Sequence, residues 1–197
     1  MASFQAKDIR NIIITGHSAC GKTILVEALL YGAGAIPRMG TIAEGNTVSD
    51  YNEDEKEKKH SIGASLASFV YNGKKINLID VPGSTDFVGD LIGGLRVADA
   101  CLVVLNASSG IEFGTERAFK MAKERGVPCL VFVNMMDKEH ADFGKCVQPT
   151  NVLLQSQCIS LHSLYLLHDD HWAWLFYNQT DPILLTKHLY MTMCSSP

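Results

Sequence analysis

The chain reads as an α/β protein in which helices cover both faces of a mostly parallel sheet, a three-layer sandwich. Two observations carry this. Short apolar runs suited to buried strands alternate with helix-like segments as far as about residue 146, and strand–helix alternation implies parallel strands joined by crossover helices. The first such run, Asn11-Ile12-Ile13-Ile14-Thr15, leads through a glycine-bearing loop directly into Ile24-Leu25-Val26-Glu27-Ala28-Leu29-Leu30. In sheets of this kind ligands sit at the carboxyl ends of the strands.

The elements follow in order. A strand is expected over 11–15 and a helix from about 24. The runs 67–71 and 75–79 are separated by Asn72-Gly73, a two-residue hairpin signal because both residues tolerate positive φ. Strands are expected over 100–106 and 129–134. Between them, 113–125 reads as an amphipathic helix with Phe113, Phe119 and Met121 among its apolar residues, stopped by Gly126 and Pro128. After Cys146 only Asp169, Asp170, Asp181 and Lys187 are charged, and the segment shows no clean period of 3.6 or 2. The chain therefore divides into 1–147 and a divergent tail, 148–197. In the tail, His168-Asp169-Asp170-His171 reads as a polar turn or a metal site, and Asn178-Gln179-Thr180 matches a glycosylation sequon that nothing else supports.

Composition excludes several classes. The 197 residues carry a net charge of −4, which gives no general attraction to DNA or to an anionic membrane; an RNA contact would need a local patch. Residues 1–10 hold no apolar signal core, and no run approaches the roughly 18 apolar residues of a membrane span. The six cysteines form no CxxC pair, which fits a reducing, cytoplasmic setting. Cys20 has two readings: a thiol whose pKa falls near a helix N-terminus, or an ordinary loop residue.

The loop itself is Gly16-His17-Ser18-Ala19-Cys20-Gly21-Lys22-Thr23. Its glycines allow a tight turn that aims successive N–H groups at an anion, and the following helix N-terminus adds partial positive charge. Lys22 would reach β- and γ-phosphates, and the Thr23 hydroxyl would take a position on Mg²⁺. Asp80-Val81-Pro82-Gly83 ends the run 75–79. A carboxylate there can hold Mg²⁺ directly or through water, and Gly83 can bring its N–H against a γ-phosphate. Asn134-Met135-Met136-Asp137 ends the last strand; Asp137 can accept guanine N1–H and N2–H₂ together, a donor pair adenine lacks, while Asn134 would tie this loop to the phosphate loop. The segment DYNEDEKEKKH, 50–60, leads into Ser61. It reads either as a solvated helix face or as a loop whose Ser61 hydroxyl closes on Mg²⁺. With little apolar surface to bury, 38–61 is expected to be mobile without nucleotide.

GHSACGKT, DYNEDEKEKKHSI, DVPGSTDF and VNMMD in this order resemble the GTP-binding domain of translational GTPases, within the P-loop NTPase fold. The similarity is strongest to elongation factor G, in particular to its paralogous branch with this type of first switch, and it spans roughly residues 8–147. It implies GTP/GDP and Mg²⁺ as ligands, a two-state switch and ribosome-stimulated hydrolysis. The phosphate-loop roles would fall on Gly16 to Thr23, a first-switch hydroxyl on Ser61, the second switch on Asp80 to Gly83, and base recognition on Asn134, Met135 and Asp137. Hydrolysis would rest on Lys22, Gly83 and Ser84.

Four departures accompany the resemblance. Ser84 stands where these factors carry a water-orienting histidine, and Met135 replaces the lysine that packs on the base. No Ser-Ala pair follows Val147, and the ribosome-contacting domains are not in this sequence. Three readings follow: a GTPase switch domain, a pseudo-GTPase that binds without hydrolysis, or a fragment with a frameshifted or mispredicted end whose sheet lacks its last strand and exposes an apolar edge.

Overall fold

The computed structural model describes residues 4–146 and the backbone of 158–168 and 171–178. Among the described residues, the principal strands and helices are numbered in chain order. They are β1 (Ile9–Gly16), α1 (Lys22–Gly32), α2 (Glu53–Lys58), β2 (Ser65–Tyr71), β3 (Lys74–Asp80), α3 (Val88–Val97), β4 (Ala100–Asn106), α4 (Phe113–Glu124), β5 (Cys129–Asn134), β6 (Cys158–His168) and β7 (His171–Asn178). One sheet takes the order β2-β3-β1-β4-β5-β7-β6.

The middle of the sheet, β3-β1-β4-β5, is parallel throughout. β4, β5 and the second half of β1 are buried without alternation because helices cover both faces. Successive side chains serve opposite layers. Ile13, Cys101, Val103, Val131 and Val133 pack with Leu91 and Leu95 of α3 and Phe119 of α4. Ile12, Ile14, Leu78, Leu102 and Phe132 pack with Leu25, Val26 and Leu30 of α1. This is the three-layer arrangement expected from the sequence.

Local chemistry sets the ends of the elements. Asn72 (φ 45°) and Gly73 (φ 74°) turn β2 back antiparallel onto β3, as the hairpin signal requires. α4 stops one residue short of the expected 113–125: Gly126 takes φ 66°, and the Val127 N–H donates to the Ala122 carbonyl at 3.0 Å, a glycine-terminated helix end. Phe119 is buried, but Phe113 is 64% exposed beneath the Arg117 guanidinium.

The edge beyond β5 is not open. β7 pairs antiparallel with β5, from Leu130↔Tyr177 to Val133↔Trp174, and β6 pairs with β7. A strand buried on both faces offers a full row of N–H and C=O groups along its free edge, and those groups demand partners. The run HWAWLFYN, dense in strand-forming aromatics, meets that demand although it shows no period. Asp169, Asp170, Gln179 and Thr180, which belong to the two tail motifs, lie outside the described residues. No helix among the described residues is long and apolar enough to cross a membrane.

Candidate functional site

The parallel register brings the candidate segments to one rim. Ile14 stands beside Asp80, Gly16 beside Val104 and Asn106 beside Asn134, so the strands release their loops along a common carboxyl edge. At that edge the 16–23 loop wraps into α1. Gly16 (φ 147°) and Gly21 (φ 90°) take conformations that disfavour side chains, and a Cβ on either would collide, with the Val104 carbonyl or the Asn134 amide.

Lys22 and Thr23 open α1 and are both almost fully buried. The Lys22 ammonium donates to the His17 carbonyl at 2.9 Å. The Thr23 hydroxyl donates to Asp80 Oδ2 at 3.3 Å and lies 3.3 Å from Ser61 Oγ, which donates to Asp50 Oδ1 at 2.6 Å. Asp80 Oδ1 and Asp50 Oδ2 are buried without a hydrogen-bond partner. Burial pushes the Asp80 carboxyl up to about 7, opposed by the Lys22 ammonium and reinforced by the Asp50 charge. Burial likewise raises Asp50, against the hydrogen bond from Ser61. Two carboxylates and two hydroxyls thus converge, with one oxygen of each carboxylate unsatisfied. Among the described residues no group of three or more His, Cys, Asp or Glu forms a metal cage. The donor set is all oxygen and incomplete, the kind Mg²⁺ shares with phosphates and water.

This pair of acids sets a pH dependence. The folded-state Asp80 value, about 7, lies above the ordinary 3.8, so the folded protein keeps a proton that the unfolded chain releases. The resulting stability is complete below about pH 4 and is lost as pH rises through 7. Relative to Asp80→Asn, metal-free protein is expected to lose about 3 kcal/mol between about pH 4.5 and pH 7.5. Urea denaturation in a chelator checks it, and parallel pH profiles for the two proteins would contradict it.

Ser18, Ala19, Lys22, Thr23 and Ser61 line a cavity of about 80 Å³ with Gly83, and Gly21 also borders it. Asp50 and His60 are there as well, neither of them singled out by the sequence. Gly83 approaches so closely that a Cβ would stand 2.6 Å from the His17 carbonyl and 2.6 Å from Lys22 Nζ. Ser84, expected beside it in catalysis, is not among the lining residues: its hydroxyl caps the short turn Thr85–Phe87, paired with Asp86 at 3.4 and 3.5 Å. A cap satisfies the first free N–H groups of a turn, which fixes the hydroxyl locally. The low-pKa reading of Cys20 is also corrected: its thiol is buried, and burial pushes it up.

Asn134 Nδ2 donates to the Cys20 carbonyl at 3.0 Å, joining the end of β5 to the phosphate loop. Met135 (φ 60°) lays its Cε against Gly21. Asp137 lies on the exposed turn that follows. Two further acids escaped the sequence reading. Glu27 accepts from the Gly40 N–H at 2.8 Å and the Val48 N–H at 2.5 Å. Glu55 accepts from Ile62 and Gly63 N–H at 3.1 and 3.3 Å, and from Asn52. These buried carboxylates, with Thr47 and Asp50, fasten 38–61 by polar contacts. The 50–60 segment holds the short helix α2, and the loop that follows places Ser61 beside Thr23. A signal existed for both acids: Glu27 interrupts an apolar helix face, and Asn52-x-x-Glu55 is a capping box.

The family model described as the elongation factor Tu GTP binding domain matches residues 7–187. The chain belongs to this family. It therefore carries the GTP-binding switch domain of translational GTPases, and the match runs into the paired strands β6 and β7. The chain is similar to the mitochondrial ribosome-releasing factor 2 of Drosophila willistoni, 41% identical over 151 residues, covering 77% of this chain and 20% of that protein. It is similar to the elongation factor G-like protein of Mycobacterium tuberculosis (strain H37Rv), 40% identical over 139 residues, covering 71% and 20%. A crystal structure of a Thermus thermophilus protein superimposes with a TM-score of 0.72 at 36% identity, covering 79% of this chain and 24% of that one. The chain spans about a fifth of the length of these curated relatives.

Proposed function

We propose that this domain binds GTP and GDP with Mg²⁺, hydrolyses GTP and serves as the nucleotide switch of an elongation factor G-like factor acting at the ribosome. The observation that carries the reading is the pair of unpartnered carboxylate oxygens, on Asp80 and Asp50, beside the Thr23 and Ser61 hydroxyls at the start of α1. Amides of the 16–23 loop and the Lys22 ammonium bind the phosphates. Thr23, Ser61 and Asp80, with Asp50 behind them, are the groups that would hold Mg²⁺, which neutralises charge on the β- and γ-phosphate oxygens. The Gly83 N–H meets the γ-phosphate. Asn134 holds the base loop against the phosphate loop, Met135 supplies apolar contact to the base, and Asp137 accepts from guanine.

Loss of the γ-phosphate would release 38–61 and the turn after Gly83, the two segments that reach the cavity from other elements. The ribosome as partner rests on the names of the relatives, and a cytoplasmic setting on the cysteine usage; the relatives include mitochondrial factors. The division of the chain near residue 147 rests on the fall in charge.

Titration of fluorescent GTP, GDP and ATP analogues, with Mg²⁺ and with a chelator, tests the reading. Guanine nucleotides are expected to bind at least about 100-fold tighter than adenine nucleotides, because a carboxylate built to meet two donors is left uncompensated by adenine. Equal affinities would remove the role of Asp137, and indifference to the chelator would remove the metal site.

A further inference from the structure

We propose that His60 is a catalytic residue of GTP hydrolysis, its imidazole Nε2 accepting a hydrogen bond from the attacking water and orienting it at the γ-phosphate. The inference rests on reading the cavity as a GTP site and assigns the one task that reading leaves open. Charge on the phosphates would be met by Lys22 and by a Mg²⁺ held by the oxygen groups around Thr23. In-line attack also needs a group that holds the water, since positioning supplies a large share of the rate. Ser84 cannot provide it while its hydroxyl is paired with Asp86.

His60 is the only imidazole among the described residues that line the cavity, where it stands with Ser18, Lys22, Ser61 and Gly83. Three features present it there. α2 ends on Lys59 in the left-handed conformation (φ 55°), which turns the chain back toward the loop. Buried Glu55 then grips the backbone just past the site through the Ile62 and Gly63 N–H groups. The ring itself is tied down, with Nδ1 3.0 Å from the Lys58 carbonyl oxygen. A carbonyl only accepts, so Nδ1 carries the hydrogen, and in the neutral imidazole Nε2 is left as the acceptor. The histidine of the phosphate loop itself, His17, is not a lining residue; its Nε2 lies 3.6 Å from Glu112 Oε1.

In the step, the water oxygen bonds to the γ-phosphorus as the bond to the β–γ bridging oxygen breaks. The electron pair leaves with GDP, and the proton of the water ends on the released phosphate. His60 is unchanged overall.

Single-turnover hydrolysis by the full chain, at saturating GTP and Mg²⁺, is compared for wild type, His60→Ala and His60→Gln, with GTP-analogue affinity measured in parallel. His60→Ala is expected to slow hydrolysis about 10- to 100-fold with affinity changed less than about threefold. His60→Gln should recover part of the rate, because the amide oxygen can accept the same hydrogen bond. Equal rates for wild type and His60→Ala, no recovery by glutamine, no hydrolysis by wild type, or a rate loss matched by lost affinity would each overturn the assignment. Failure of wild type to bind guanine nucleotide at all is a separate result that removes the proposed function itself.

Discussion

Lys22→Ala is expected to weaken GTP and GDP binding by about 100- to 1,000-fold while leaving the fold in place. The side chain is almost fully buried at the first turn of α1, and its ammonium already serves a loop carbonyl, that of His17. A charge-assisted hydrogen bond from a buried ammonium to phosphate is worth about 3–4 kcal/mol when its loss leaves the anion unmatched, and that energy corresponds to the stated factor. Without nucleotide the cost is smaller, about 1 kcal/mol for one hydrogen bond to His17. Fluorescent GDP titration and thermal unfolding should therefore separate: affinity collapses while the melting temperature moves by a few degrees. Unchanged affinity would show that the 16–23 loop does not bind phosphate.

Gly83→Ala is expected to reduce GTP affinity at least about tenfold and to reduce GDP affinity less. The reason is spatial. The added methyl would stand 2.6 Å from both the carbonyl carbon and the oxygen of His17, and 2.6 Å from Lys22 Nζ. The lysine tip can swing aside, but the His17 backbone is part of the phosphate loop and cannot move without distorting it. The methyl also occupies the approach through which the Gly83 N–H would meet a γ-phosphate, a group GDP lacks. Parallel titrations with GDP and a non-hydrolysable GTP analogue check the asymmetry. Equal losses for the two nucleotides would place the damage in the phosphate loop alone.

Much of this was legible in the chain. The strands through β5 and the helices α1 and α4 followed from apolar runs, the Asn72-Gly73 turn and the Gly126 stop, because these signals are local: a residue's φ preference or the period of a short run does not depend on distant partners. The helix α3 was not among the expected elements. The phosphate loop was legible for the same reason, its chemistry being contained in eight consecutive residues. Ser61 was named as a candidate because it ends a charged segment, and the structure brings it within 3.3 Å of Thr23.

What stayed hidden involves pairs distant in sequence. Asp50 reads as one acid among many in a charged stretch; only the fold places it beside Ser61 and Thr23 and removes it from water. Glu27 fastens a segment 13 to 21 residues away, and nothing local announces which backbone groups it will satisfy. Ser84 shows the converse. Its position after Gly83 marked it for catalysis, yet a nearer partner, Asp86, takes its hydroxyl. In β7 the local signal was weak and the tertiary demand strong, so the free edge of β5 selected a partner that periodicity did not.

Contiguous residues were enough to specify the family, the phosphate loop and the strand order through β5, since the conformational preferences that write them are intrinsic to short stretches of chain. Folding had to settle which carboxylates share the Thr23 hydroxyl, where Ser84 turns and that His60 lines the cavity. Those outcomes depend on burial and on competition between hydrogen-bond partners, and both exist only once the chain has folded.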